Sequence, residues 1–395
     1  MSLRLHFLRA TALVCSLFTM TTLLSASDAK FFTFDQRARA GEALSVVFLG
    51  GSLTWGAQST DPQTKSYRAL TSRKLEATYP KAHFRFGDAA IGGTGSQLAA
   101  FRLERDVLAR KPDLVFLDFT INDDPYSEPK ANRLASYESL VRRLEERGVP
   151  VVQVILPSKQ DLNAKPSARP LDALHKAIGS AYGLPLADAV ALVRQRVADG
   201  QTTADRLWDL PEDRTHPGDA GYALYAEAAW DAYAHAVATK AVCRLPATMI
   251  HADTYMTVNR FRLATLSALP AGWTTGVPHR NAIAFDFVCS RWMDSLVIAE
   301  SGAAPLRLKI RGSEVMLFGE QTKQSGSYRV IIDGGEPKTY TAKCADGNMR
   351  LVNLIAQGLS ADQEHDIEIT PVLEPGQELR IESVCVAGAS AQVSL

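Results

Sequence analysis

The first half of the chain alternates short apolar runs with longer amphipathic segments. Three nearly uninterrupted apolar runs, at residues 44–49, 114–119 and 151–156, predict strands that are buried on both faces of a parallel sheet. Helical spacing of the apolar positions predicts helices at residues 66–79, 97–110, 132–147, 171–182 and 220–238. This repeated order of strand and helix predicts a doubly wound α/β domain, which we place at residues 40–243.

After about residue 245 the helical periodicity stops and short alternating runs replace it. Turn signals such as Ser325-Gly326, Asp333-Gly334-Gly335 and Glu374-Pro375-Gly376 separate these runs. The runs predict strands at residues 282–288, 306–310, 315–318, 328–332, 366–369 and 378–386. We therefore predict a C-terminal antiparallel β-sandwich domain at residues 250–395.

The N-terminus has the layout of a secretory signal peptide. Arg4 and Arg9 precede an apolar run that extends to about residue 24, and the small residues 25–27 follow it. We predict a signal peptide at residues 1–27 and hence a secreted or periplasmic protein. The run is shorter than the roughly 20 residues of a membrane span, so we expect no integral membrane association.

Composition and charge narrow the class of partner. The 395 residues, 46% of them hydrophobic and 22% charged, suit two folded domains. Because 43 basic residues balance 43 acidic ones, no net field favours nucleic acid, and we expect no nucleic-acid partner. The oligomeric state stays open.

The cysteines allow disulfides without requiring them. Cys15 lies in the predicted signal peptide, and the four others are Cys243, Cys289, Cys344 and Cys385. An even number in an exported protein permits bridges, and buried free thiols are the alternative. No cysteine or histidine pair has zinc spacing, so we expect no metal site.

Two polar positions follow predicted strands at what should be the same edge of the sheet. Ser52 follows the first strand in Gly50-Gly51-Ser52, and Asn122 follows the strand at residues 114–119. Both then face the crevice where open α/β sheets bind ligands. A turn or helix cap is the alternative for each residue alone.

A glycine-rich loop and a histidine complete the candidate chemistry. The loop at residues 90–96, which contains Gly93, precedes a predicted helix and can offer backbone N–H groups to negative charge; its spacing does not fit a dinucleotide site. His216 lies in Asp213-Arg214-Thr215-His216-Pro217 before the last predicted helix. A serine nucleophile needs an imidazole base, and the imidazole needs a carboxylate to orient it.

In order and content, these four segments resemble the SGNH (GDSL-type) hydrolases, whose blocks read Gly-x-Ser, a glycine, Gly-x-Asn-Asp and Asp-x-x-His-Pro. The resemblance implies a flavodoxin-like sheet, with Ser52 as nucleophile, His216 as general base and Asp213 as its partner. It also implies an oxyanion hole formed by the N–H groups of Ser52 and Gly93 and by the Asn122 side chain. The chain departs from the pattern in having Gly51 for aspartate and Thr120 for glycine.

The implied reaction is acyl transfer through an acyl-enzyme, without a metal or an organic cofactor. The C-terminal region resembles the jelly-roll sandwiches found beside some carbohydrate esterases. Export, this sandwich and the absence of a long apolar lid-like segment favour a small-molecule or polysaccharide ester with a short acyl group, acetyl on a carbohydrate above all. Trp55, Tyr67 and Tyr126 flank the motifs and are candidates for stacking on sugar rings. The alternatives are a lipase, thioesterase or arylesterase with the same machinery, or an inactive polysaccharide-binding protein.

In the sandwich, Trp273, Trp292 and Tyr328 are candidates for a second sugar platform. The alternative is that the sandwich packs on the catalytic domain and shapes its cleft, and we favour this alternative.

Overall fold

The computed structural model describes residues 31–163, 165, 168–279, 293–345 and 348–394. The predicted signal peptide, the predicted strand at residues 282–288, Cys289 and Trp292 lie outside these ranges.

A five-stranded parallel sheet forms the first half of the chain. Its strands are β1 Ala43–Gly50, β2 His83–Ala90, β3 Leu114–Leu117, β4 Val151–Ile155 and β5 Leu186–Asp188. They lie in the order β2-β1-β3-β4-β5, and every pair is parallel. β3 and β4 are buried along their whole length, as their apolar sequences predict.

Helices cover both faces of this sheet. They are α1 Phe31–Ala40, α2 Ser52–Trp55, α3 Pro62–Lys65, α4 Tyr67–Thr78, α5 Ser96–Asp106, α6 Ala131–Glu145, α7 Pro170–Tyr182, α8 Ala189–Ala198, α9 Ala204–Leu207 and α10 Asp219–Ala238. α10 packs on α1, α4 and α8, whereas α6 packs on α5 and α7. Right-handed connections in this strand order place these two groups on opposite faces.

α1 precedes the predicted start of the catalytic domain at residue 40 but packs within it. Phe31 and Phe34 are buried, and the ring of Phe34 meets that of Tyr233 in α10 edge to face at 5.9 Å. The exact domain boundaries stay a prediction. None of the helices in the described part of the chain combines the length and the hydropathy that a membrane span requires.

Two antiparallel sheets form the second half. Their strands are β6 Val258–Arg262, β7 Trp273–Gly276, β8 Leu296–Glu300, β9 Leu306–Arg311, β10 Glu314–Gln321, β11 Ser327–Ile332, β12 Lys338–Thr341, β13 Met349–Gln357, β14 His365–Val372, β15 Glu378–Ala387 and β16 Gln392–Ser394. One sheet has the order β13-β10-β15-β8-β7, with β6 also paired to β15, and the other has the order β12-β11-β14-β9-β16. The α/β fold with a C-terminal β-sandwich is therefore confirmed.

The sandwich packs directly on the α/β half through β10 and its neighbours. Val315 and Leu317 of β10 belong to the core between the two sandwich sheets. Met316 and Phe318, which point to the opposite face, belong to the same core as the parallel sheet. Both faces of β10 are apolar because one is covered by the second sandwich sheet and the other by the α/β half.

The cysteines in the described residues are buried free thiols: Cys243, Cys344 and Cys385. For these three positions the structure favours buried thiols over bridges.

Candidate active site

The predicted site residues gather at the carboxyl edge of the parallel sheet, where β1 lies between β2 and β3. Gly50 at the end of β1 pairs with Ala90 at the end of β2, and Leu49 pairs with Leu117 of β3. The chain passes from β1 outward to β2 and then back across β1 to β3, so the strand order reverses here. Such a reversal opens a crevice at the strand ends of doubly wound sheets.

Ser52 is the first residue of the short helix α2 and hydrogen-bonds to His216. Gly51 is the helix N-cap, so the backbone N–H of Ser52 lies at a helix N-terminus. The Oγ of Ser52 lies 2.8 Å from Nε2 of His216, although 164 residues separate the two in the chain. This is the geometry that a serine nucleophile and its base require.

Asp213 both shapes the histidine loop and orients the imidazole. Its Oδ1 accepts hydrogen bonds from the backbone N–H groups of Thr215 and His216, each at 2.9 Å. Its Oδ2 lies 2.7 Å from Nδ1 of His216. Partial burial opposes ionisation, but the hydrogen bonds from His216 and Thr215 outweigh it and lower the pKa of Asp213. A carboxylate that is ionised in this way holds Nδ1 protonated and leaves Nε2 as the acceptor toward Ser52.

Hydrogen bonds between distant segments hold the histidine loop against the turn that carries Ser52. The hydroxyl of Tyr222 in α10 donates to the carbonyl oxygen of Ala57 at 2.6 Å. The N–H of Thr60 donates to Asp219, the first residue of α10, at 2.9 Å. The positions of Ser52 and His216 are therefore fixed by these two hydrogen bonds as well as by the contact between their own side chains.

Asn122 lies directly against the Ser52 turn. A β-carbon on Gly51 would lie 1.9 Å from Oδ1 of Asn122, a distance that real β-carbons do not reach. The departure from the Gly-Asp-Ser pattern thus has a local cause, because a side chain at position 51 would displace Asn122. The other departure, Thr120, is buried, and its hydroxyl donates to the Val154 carbonyl oxygen at 3.4 Å.

The glycine-rich loop after β2 is tied to the same region. Asp123 accepts a hydrogen bond from the N–H of Ser96, the first residue of α5, at 2.8 Å, so it bridges this loop to the segment that carries Asn122. Gly93 has a φ of +66°, a left-handed conformation that favours glycine, and it is exposed to solvent. Burial raises the pKa of Asp123 to about 6 against the hydrogen bond from Ser96.

Two of the three predicted sugar-stacking residues are core residues, and their prediction is wrong. Tyr67 is fully buried, with its hydroxyl 3.1 Å from that of Thr54 in α2. Trp55 is only 8% exposed and packs with Ala57 and Ala90, so it offers no ring face to a sugar.

Tyr126 is half-buried and held by polar contacts. Its hydroxyl lies 2.7 Å from that of Ser158 and 2.9 Å from Asp161, and the guanidinium of Arg169 lies 5.4 Å from its ring centre. Its substrate role stays a prediction.

The sandwich aromatics also pack internally. Tyr328 is fully buried, and Trp273 is 6% exposed with its ring N–H donating to the carbonyl oxygen of Ala304 at 2.8 Å. These two residues therefore form no sugar platform.

A buried polar network at Thr54 of α2, which no sequence motif marks, lies next to Ser52 in the chain. Thr54 links Tyr67 to Asp118, whose carboxylate lies 3.4 Å from the Thr54 hydroxyl and accepts the N–H of Thr120 at 3.1 Å. Burial raises the pKa of Asp118 to about 7, against the hydrogen bonds from Thr120 and Thr54. The available signal was a carboxylate inside an apolar run, at position 118 of residues 114–119.

The raised pKa of Asp118 predicts a pH-dependent stability. From about pH 4 to about pH 7 the unfolded chain releases this proton while the folded chain retains it, so the stabilising contribution is lost as pH rises. We expect the unfolding temperature of the wild type to fall from about pH 5 to about pH 8 by a few degrees more than that of Asp118→Asn, which cannot ionise. Thermal unfolding of both proteins at the two pH values is the measurement. If the unfolding temperatures of wild type and Asp118→Asn changed equally with pH, the pKa of Asp118 would not be raised in the folded state.

Within the described residues, no group of three or more histidine, cysteine or carboxylate side chains is arranged to hold a metal ion. The groups that the structure brings together at the sheet edge are the serine hydroxyl, the imidazole and the carboxylate of Ser52, His216 and Asp213.

Comparison with known proteins gives matches to both halves of the chain. The model of the GDSL-like Lipase/Acylhydrolase family matches residues 48–224. An acetylxylan esterase of Geobacillus stearothermophilus is 26% identical over 213 residues, which cover 48% of this chain and 94% of that protein.

Among solved structures, a two-domain esterase active on acetylated mannans matches 93% of this chain and 99% of its own, with a TM-score of 0.74 and 23% identity. The same esterase co-crystallised with mannopentaose matches 93% of this chain and 98% of its own, with a TM-score of 0.74 and 22% identity. At this identity the likeness shows that the fold of both halves is shared.

Proposed function

We propose that this carboxylic ester hydrolase, whose residues 48–224 match the model of the GDSL-like Lipase/Acylhydrolase family, is a serine esterase that removes acetyl groups from a carbohydrate. The observation that carries the proposal is the hydrogen-bonded chain from Ser52 through His216 to Asp213 at the crevice of the sheet.

In the first step the Oγ of Ser52 attacks the ester carbonyl carbon while Nε2 of His216 takes the hydroxyl proton. The carbonyl π bond opens, and its electron pair moves to oxygen to give a tetrahedral oxyanion. When this intermediate collapses, the bond to the sugar oxygen breaks, and the imidazolium returns the proton to the leaving alcohol. Ser52 then carries the acetyl group.

In the second step a water molecule takes the place of the alcohol. His216 removes a proton from the water, whose oxygen attacks the acetyl carbonyl. On collapse the bond from the acetyl carbon to Oγ of Ser52 breaks, the imidazolium returns its proton to Oγ, and acetic acid leaves and ionises to acetate. Asp213 stays ionised throughout and stabilises the imidazolium that forms in each step.

In our proposal, three hydrogen-bond donors surround the position where the oxyanion forms. They are the backbone N–H groups of Ser52 and Gly93 and the side-chain amide of Asn122. The N–H of Ser52 at a helix N-terminus and the contact of Asn122 with the Ser52 turn support this assignment.

Removing one oxyanion donor should impair catalysis without unfolding the protein. We expect Asn122→Ala to lower kcat by about a hundred- to a thousand-fold with little change in KM, because the donor acts chiefly in the transition state. Asn122→Asp should lower kcat further, since a carboxylate would repel the oxyanion. Steady-state kinetics on p-nitrophenyl acetate measure both variants. A kcat of Asn122→Ala within threefold of the wild-type value would contradict the assignment of Asn122 to the oxyanion hole.

The substrate assignment rests on the relatives. The family relative is named for acetylxylan, and the two-domain structure is of an esterase active on acetylated mannans. A carbohydrate bearing acetyl esters is the substrate class that fits both. With the predicted signal peptide at residues 1–27, we propose that the protein acts outside the cytoplasm.

The experiment compares acyl chain length and alcohol. Purified mature protein is assayed on p-nitrophenyl acetate, butyrate and octanoate, and acetate release is measured from acetylated xylan and acetylated mannan. We expect acetate release from a polysaccharide and a steep fall in kcat/KM beyond the acetyl ester. A preference for octanoate would indicate a lipase or thioesterase instead, and polysaccharide binding without hydrolysis of any ester would indicate an inactive binding protein.

A further inference from the structure

We propose that the β-sandwich completes the active site by placing the guanidinium of Arg350 beside Gly93, where its positive charge stabilises the oxyanion. This inference rests on the proposed esterase function and assigns a role in it to the second half of the chain.

The guanidinium group of Arg350 packs directly against the backbone of Gly93. A β-carbon on Gly93 would lie 1.6 Å from Nη2 of Arg350, 2.4 Å from Cζ and 3.1 Å from Nε. The guanidinium therefore occupies the space that a side chain at position 93 would take. Since a Cα–Cβ bond is about 1.5 Å long, Nη2 lies within about 3.1 Å of the Gly93 α-carbon.

The strand that carries Arg350 directs it toward the α/β half. Arg350 is paired with Glu320, and Val352 with Phe318, across β10 and β13. Phe318 and Val352 pack against the core of the parallel sheet, and side chains two residues apart share a face. Arg350 is therefore on the face of the sandwich that covers the catalytic half.

The carboxylate opposite Arg350 is engaged with another arginine. Glu320 forms an ion pair with Arg380 at 2.8 Å, and its other oxygen accepts the N–H of His279 at 2.9 Å. Glu320 is therefore fixed in place by Arg380 and by the backbone of His279.

A separate set of contacts fixes the sandwich to the helix that follows the glycine-rich loop. Gln97 in the first turn of α5 donates to the hydroxyl of Tyr255 at 2.8 Å, and Tyr255 donates to Glu314 of β10. The ring of Tyr255 also meets that of Phe101 in α5 edge to face at 5.9 Å. The loop with Gly93 and the strand beside Arg350 are thus held by one interface.

The position of Gly93 sets the size of the expected effect. An oxyanion bound to the Gly93 N–H would lie within about 4 Å of the α-carbon, and hence within about 7 Å of Nη2. Attraction between unit charges at this distance, with an effective dielectric constant of about 20 and partial exposure of Arg350, corresponds to about a ten- to fifty-fold effect on rate.

The test is a charge series at position 350, measured as kcat and KM on p-nitrophenyl acetate. This neutral ester is too small to reach distant sugar-binding residues, so it isolates the reacting centre. We expect Arg350→Gln and Arg350→Met to lower kcat about ten- to fifty-fold with KM nearly unchanged. Arg350→Lys should recover most of the loss because it restores the charge. Arg329→Gln, at an exposed position on the other sandwich sheet, is the matched control for charge and should match wild type.

The outcomes separate this inference from the proposed function. Wild-type kcat in both neutral variants overturns the role of Arg350 and leaves the esterase proposal intact. An equal loss of kcat in Arg350→Lys, Arg350→Gln and Arg350→Met also overturns it, because the loss would then come from the changed shape of the side chain and not from its charge. A wild type that hydrolyses no ester overturns the proposed function and this inference together.

Discussion

Ser52→Ala and His216→Ala are each expected to lower kcat by about 10⁵- to 10⁶-fold on any ester that the wild type hydrolyses. In the proposed mechanism Ser52 and His216 act as one unit through the 2.8 Å contact between Oγ and Nε2, so loss of either removes the covalent route. For the same reason the double variant should be no worse than either single variant. Initial rates of acetate release, followed at high enzyme concentration, measure all three proteins.

The control for this pair is Ser301→Ala. Ser301 is exposed in the sandwich, where its hydroxyl donates only to the carbonyl oxygen of Leu373 at 3.0 Å, so the substitution should leave kcat unchanged. Additive losses in the double variant would contradict the shared role of Ser52 and His216. Substantial activity in Ser52→Ala would assign the nucleophile elsewhere.

Asp213→Asn is expected to lower kcat by about 10⁴-fold while leaving the fold and the loop in place. The amide oxygen can still accept the N–H groups of Thr215 and His216, so the turn is preserved. The amide nitrogen, however, is a donor and cannot accept the hydrogen bond that Nδ1–H of His216 gives to Oδ2 of Asp213. The imidazole would then carry its proton on Nε2, and it could not act as a base toward Ser52.

Asp61→Asn is the matched control for this change. Asp61 makes a comparable local turn by accepting the N–H of Gln63 at 2.9 Å at the start of α3, and within the described part of the chain no histidine contacts it. We expect its kcat to equal that of wild type. A loss below tenfold in Asp213→Asn, with unfolding temperatures equal to wild type, would contradict the orienting role of Asp213.

The sequence predicted the central elements of the fold because their burial is extreme. The runs at residues 44–49, 114–119 and 151–156 lie in β1, β3 and β4, which are covered by helices on both sides. β2 was missed because it is an edge strand whose first half alternates exposed and half-buried residues. β5 has only three residues, too few for a periodic signal.

The site residues were predictable only as a set. Ser52 and Asp213-x-x-His216 carry local sequence signals, and the order of strands brings them to one edge of the sheet. The burial of Tyr67 was not predictable, because an aromatic residue next to a motif fits a core position and a binding surface equally well. Arg350 carried no signal at all, since its contact with Gly93 depends on how the two halves of the chain pack on each other.

The most direct measurement of the central claim is covalent labelling by a fluorophosphonate, which reacts with an activated serine and mimics the tetrahedral intermediate. The account predicts one label per chain, located by peptide mass spectrometry on Ser52, with esterase activity lost in proportion to labelling. His216→Ala should label far more slowly. A fully labelled protein that retains its activity, or a label on a different residue, would contradict the assignment of Ser52 as the nucleophile.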